Sequence, residues 1–218
     1  MGFIFLTILS LGAQSYAYLS VNETAELLPE GYFRFGIAPQ LKLSDDAYIS
    51  GDAGLNVGAY FDFFIVDDLN GRFELGGGKT DFWAQASAKW VPFPDVDRQP
   101  AMGVRGAFIY ARNQYNDNVN GYNATIDSDF YDFQIAPIIS KLADTRYGKM
   151  IPFVSLPITL VNRKDKSYTA TQFAVGAEWF SHEKYHIGAE FDLNLSNSFS
   201  AISTFISFPF DSSIGYKR

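Results

Sequence analysis

Apolar and polar residues alternate with a period of two along almost the whole chain. Between 185 and 195, Tyr185, Ile187, Ala189, Phe191, Leu193 and Leu195 hold the odd positions, and His186, Gly188, Glu190, Asp192 and Asn194 hold the even ones. That period puts successive side chains on opposite faces of a β-strand. About ten residues is also the length of a tilted strand that crosses a bilayer.

The same alternation marks 32–42, where Phe33, Phe35, Ile37, Pro39 and Leu41 oppose Arg34, Gly36, Gln40 and Lys42. It returns at 55–65, 72–77, 81–91, 101–113, 129–141, 168–180 and 199–210, and more weakly at 149–161. In that last segment Pro152 and Pro157 cannot donate to a ladder. Between strands, Asp67-Asp68-Leu69-Asn70-Gly71 reads as turn chemistry, Pro92-Phe93-Pro94-Asp95 as a breaker, and 114–128 as the longest loop. The expected fold class is all-β: an up-and-down antiparallel transmembrane β-barrel of about ten strands, with eight or twelve as the alternatives.

Alternation alone leaves open which face points inward. A soluble barrel of lipocalin or avidin type has its apolar face inside, and a membrane barrel has it outside. Three features favour the membrane. The polar face mixes charges with small residues such as Gly58, Ser87, Gly103, Gly176 and Gly188, which suit a crowded lumen. Connections alternate in length, and the longest, 114–128, falls on the outer side if the N-terminus is periplasmic. Aromatic residues gather near strand ends, so Trp90, Tyr110, Tyr131, Trp179, Tyr185 and Phe208 are expected to form interfacial girdles.

With these residues the chain resembles the small bacterial outer-membrane β-barrel proteins over about 31–210. Its last strand, Phe205-Ile206-Ser207-Phe208-Pro209-Phe210, is similar to the aromatic terminal strand read by the barrel-assembly machinery, although Pro209 interrupts it and 211–218 extends past it. The resemblance implies residence in the outer membrane, contact with its lipid and lipopolysaccharide, and that machinery as a partner during insertion. An envelope protein partner is a further expectation.

Composition narrows the function classes. The chain has no cysteine, which removes disulfides and thiolate metal sites. A net charge of −7 argues against a nucleic-acid partner. No run of about eighteen apolar residues suggests a membrane helix. The short apolar core Phe3–Leu11, followed by Ser15-Tyr16-Ala17, reads as a secretory signal cleaved after Ala17. The expected organisation is therefore a signal peptide at 1–17, a polar periplasmic segment outside the barrel at 18–30, the barrel at 31–210 and a periplasmic tail at 211–218.

The lumen face is expected to carry Arg34, Asp62, Arg72, Glu74, Lys89, Arg105, Asp132, Glu178, Glu190 and Asp192. These form either a polar pore or a plug of internal ion pairs, and the narrow interior of a ten-strand barrel favours the plug. No catalytic residue, cofactor or metal is expected. His182 and His186 are the two histidines, and neighbours such as Ser181-His182-Glu183 point in different directions on a strand. Gly76-Gly77-Gly78-Lys79-Thr80 lacks the spacer and helix of a phosphate loop. Two roles follow: a structural or small-solute-permeation barrel, or a docking module acting through 114–128 or 18–30. A lipid-modifying enzyme is the third alternative.

Overall fold

The computed structural model describes residues 20–45, 54–78, 82–119, 122–163, 167–182 and 184–211, with the backbone alone for 44–45, 113–119, 122–128, 163 and 181–182. The expected signal peptide and residues 212–218 lie outside the described residues.

The strands are β1 (Tyr32–Asp45), β2 (Gly54–Val66), β3 (Leu69–Gly78), β4 (Phe82–Phe93), β5 (Ala101–Val119), β6 (Tyr122–Ser140), β7 (Ala143–Thr145), β8 (Gly148–Ser155), β9 (Ile158–Arg163), β10 (Ser167–His182), β11 (Tyr185–Ser196) and β12 (Phe199–Asp211). All pairings are antiparallel, and β12 returns to β1 with Tyr32 opposite Asp211 and Ile37 opposite Ile206. β8 and β9 share one place in the wall, since both lie between β6 and β10. Among the described residues β7 pairs only with β8. The result is a closed ten-strand barrel with two extra strand segments. Closure satisfies the backbone groups of every edge, which a bilayer demands.

Three expected boundaries change. The strand expected over 149–161 is broken at Leu156 and Pro157. Across the break, Leu156 N donates to Pro137 O (3.2 Å) and Gln172 N donates to Pro157 O (3.0 Å), so the proline interrupts the ladder without opening the wall. Asn70 and Gly71 lie inside β3, opposite Phe64 and Phe63, and the turn contracts to Asp67 and Asp68. Asn70 is buried in the interior and Gly71 receives the Phe63 ring, so both serve packing instead of the turn. Residues 114–128 are no loop: β5 and β6 stay in register from Ala101↔Ser140 to Val119↔Tyr122. Neighbouring strands end near Arg112 and Phe130, so this hairpin rises beyond the wall, where the bilayer no longer imposes alternation.

Burial is inverted relative to a soluble barrel. Leu55, Phe73 and Leu75 are 55–57% exposed, whereas Asp62 and Arg72 are 2% exposed. The apolar face therefore points outward, as in a membrane barrel. Inside, aromatic rings lie flat over the glycine directly across the ladder. Tyr60 covers Gly36, Trp83 covers Gly76, Phe153 covers Gly176 and Phe205 covers Gly188. A Cβ at any of these glycines would overlap the ring. This accounts for Gly36, Gly76, Gly176 and Gly188 on the polar face of the alternation.

Candidate functional site

The main feature of the interior comes from outside the strands. Residues 20–28, expected beyond the barrel mouth, run through the lumen instead. Ser20, Val21, Asn22, Glu23, Thr24 and Ala25 are all buried. This strap belongs to no sheet. The barrel side chains satisfy its polar backbone, as a buried segment requires.

The strap runs between walls of opposite charge. On one side stand Arg72 of β3, Lys89 of β4 and Arg105 of β5; on the other stand Glu190 and Asp192 of β11, five places around the ring from β4. The carbonyls turn to the cations. Arg72 Nη1 donates to Val21 O (3.4 Å) and Asn22 O (3.2 Å), and Lys89 Nζ donates to Thr24 O (2.7 Å) and Glu26 O (2.6 Å). Glu23 adds ion pairs to Lys89 Nζ (3.0 Å) and Arg105 Nε (3.4 Å). On the acidic side, Glu190 accepts from Val21 N (2.8 Å) and Asn22 N (2.7 Å), while Ser20 Oγ donates to Asp192. Gln40, Ser140 and Ser203 complete the seat through Ser20 Oγ, Ala25 N and Asn22 Oδ1. Asn22 sits at φ 47°, a conformation asparagine tolerates, and bends the chain between the walls. Val21, Ala25 and Leu27 pack on Val91, Ala101, Ala136 and Ile138.

Nearer the N-terminal mouth a charge chain crosses the interior. Asp62 binds Arg72 Nε (2.5 Å) and Arg34 Nε (2.7 Å); Arg34 Nη1 reaches Glu178 (3.1 Å), and Glu178 meets His186 Nδ1 (3.2 Å). His186 lies against the Phe180 ring with centroids 3.9 Å apart, and Arg72 stacks on Tyr60 at 4.1 Å. Arg105 also donates to Gln134 (2.5 Å), which donates to Thr159 (3.2 Å). Glu74 accepts from Gln85 Nε2 (3.3 Å), and Asp132 is buried on the inner face of β6. All ten charged residues proposed for the lumen therefore lie in the interior, at 0–7% exposure. Such groups are costly to bury unpaired, and most of them sit in ion pairs or accept strap N–H groups.

Toward the β5–β6 end the interior turns apolar. Trp83, Ile109, Phe130, Val161 and Phe199 form one layer with small residues, and Lys42 lies over the Phe199 ring at 5.1 Å. The alternation held the signal for this layer, since Trp83 and Ile109 share the parity of Gln85 and Arg105. For the strap there was no periodic signal. At the opposite end a cleft of about 390 Å³ lies between residues 26–29 and Arg34, Glu178, Phe180 and His186.

The expected girdle residues are on the outside. Trp90, Tyr131, Trp179 and Phe208 are exposed, while Tyr110 and Tyr185 are half-buried. Trp90 Nε1 donates to Asp68 (2.8 Å) and Trp179 Nε1 to Tyr147 O (2.9 Å) at one end. Tyr110 donates to Asp129 (2.9 Å) and packs on Tyr131 toward the other. Each of these Trp and Tyr rings thus offers an apolar body with a polar tip, as at a membrane interface. An outward stack of Phe33, Phe61, Phe63, Phe73 and Phe210 also stands near the N-terminal mouth.

These features define a transmembrane β-barrel of the bacterial outer-membrane type. The β domain of the Bordetella autotransporter BrkA is similar in structure, with a TM-score of 0.51 at 12% identity, covering 83% of this chain and 99% of that one. The COG4313 outer-membrane channel of Pseudomonas putida F1 gives 0.47 at 12% identity over 85% and 98%. Ail of Yersinia pestis gives 0.41 at 13% over 83% and 100%. The likeness to BrkA concerns the fold alone. No protein-family model matches the chain. No curated protein sequence matches it either.

Proposed function

We propose that this protein is a closed barrel of the bacterial outer membrane, with a structural or docking role in place of solute passage. The observation that carries this reading is the occupied lumen. The strap is seated between the Lys89/Arg105 and Glu190/Asp192 walls, and the Trp83–Phe130–Phe199 layer lies beyond it. The two obstructions stand in series along the axis. Purified protein inserted into planar bilayers is expected to give no single-channel steps; sustained, reproducible steps would sink the reading.

Docking gains specific support from the β5–β6 hairpin, which rises past both neighbouring strands. A rigid scaffold that presents a projecting arm is a common recognition geometry. Crosslinking from the backbone region 113–128 in native membranes tests it, and recovery of lipid alone would count against a protein partner. In this reading the protein performs no catalysis, and His186 acts as a packing and hydrogen-bonding group between Glu178 and Phe180.

A further inference from the structure

The cleft at the N-terminal mouth, about 390 Å³ in volume, is of a size that holds small molecules. Its lining includes Glu26, Arg34, Glu178 and His186. Three of these are committed to one another. Arg34 pairs with Glu178 (3.1 Å) and with Asp62 (2.7 Å), and His186 Nδ1 meets Glu178 (3.2 Å). Glu26 is the exception. Among the described residues neither of its carboxylate oxygens accepts a hydrogen bond or enters an ion pair, and Oε1 is shut away from solvent. Lys89 donates to the main-chain oxygen of Glu26 (2.6 Å) and pairs with Glu23 (3.0 Å), leaving the Glu26 carboxylate untouched. Along the charge chain Arg34 and Arg72 cancel Asp62 and Glu178, so Glu26 is the charge left over at the cleft. A partly buried carboxylate is costly without a partner.

His186 adds a second acceptor. A carboxylate can only accept, so Nδ1 carries the hydrogen of the contact with Glu178, and in the neutral ring Nε2 is left as an acceptor. Among the described residues Nε2 has no hydrogen-bond partner. The rest of the lining is Leu27, Leu28, Pro29 and Pro209 with the rings of Tyr32 and Phe180. Two acceptors, one of them ionised, in a wall otherwise apolar and aromatic suit a cationic donor with a hydrocarbon body. A hard metal ion would require more oxygen ligands than one carboxylate supplies, and an anion would be repelled by Glu26. We propose that this cleft binds a small aliphatic ammonium compound, its charged end on Glu26 and His186 and its chain along Leu27, Leu28 and Phe180. The site lies at the mouth, so it holds whether or not the barrel conducts.

The test titrates n-butylammonium chloride into the full-length protein in detergent and follows the isotope-labelled His186 ring by nitrogen NMR. The expected result is a saturable shift of the Nε2 signal that n-butanol and sodium chloride do not produce. Glu26→Gln, which keeps the size and removes the charge, is expected to weaken binding at least about tenfold. No saturable shift, an equal shift with n-butanol, or unchanged affinity in Glu26→Gln overturns the proposal. If Glu26→Gln does not fold, the comparison of n-butylammonium with n-butanol in the wild-type protein decides.

Discussion

Replacing Glu23 by glutamine tests what holds the strap in place. Among the described residues Glu23 is the one strap side chain ion-paired to the wall, with Lys89 at 3.0 Å and Arg105 at 3.4 Å. Removing one partner of a buried pair costs about 3–5 kcal/mol when the other is left stranded. Here the cations are not stranded. Lys89 keeps two strap carbonyls at 2.6–2.7 Å, and Arg105 keeps Gln134 at 2.5 Å. Glutamine also retains an acceptor oxygen. The expected cost is therefore below that range, about 2–3 kcal/mol, which corresponds to roughly a 30- to 150-fold change in an opening equilibrium. The strap shares no ladder with the wall, so it should open as a local unit while the barrel stays intact. Hydrogen–deuterium exchange of peptides covering 20–28 reads this directly. Strap amides such as those of Val21 and Asn22 should exchange faster by that factor in Glu23→Gln, with β3, β4, β5 and β11 unchanged. Unaltered strap exchange, or equal acceleration throughout the barrel, would refute the view that this ion pair seats a separately opening segment.

Other consequences follow from single contacts. Gly188→Val should destabilise the barrel by about 1–3 kcal/mol by expelling the Phe205 ring, whereas Gly106→Ala, which meets nothing within 4 Å, should be near neutral in urea unfolding in micelles. Asp95 accepts from Lys141 and from Leu142 N (2.6 Å). Desolvation is the largest single influence and pushes its carboxyl up, but the Lys141 and Leu142 hydrogen bonds and the Lys141 charge together outweigh it and hold it below the ordinary value of 3.8. The stabilisation is thus fully present above the ordinary value and is lost as pH falls through the lower folded value; Asp95→Asn should flatten the Tm–pH profile in that acid window and leave its shape at neutral pH unchanged. His186→Ala should leave the lipid A profile of expressing cells unchanged, and an altered profile by mass spectrometry would revive the enzyme reading.

The strand pattern, the inward placement of Arg34, Asp62, Arg72 and their companions, and the outward placement of Trp90 and Tyr131 were all legible from the chain alone. A period of two is a local property of strand geometry, so it survives without knowledge of the fold. The same parity also points Trp83 and Ile109 inward, although apolar character alone does not distinguish an inward from a lipid-facing position. Where local chemistry misled, a tertiary contact had overruled it: Asn70-Gly71 looks like a turn until the Phe63 ring and the barrel interior claim it.

The strap was not legible, and its physics says why. Residues 20–28 are polar and aperiodic, which alone reads as solvent-exposed chain. Their partners lie far away in sequence: Arg72 is about 50 positions on, Glu190 is 168–169 and Ser203 is 181. Period-two alternation determined that this chain builds a barrel with a charged interior. Only closure of β12 onto β1, which brings β4 and β11 to face each other across one narrow lumen, decided that the interior is filled by the chain's own N-terminal segment.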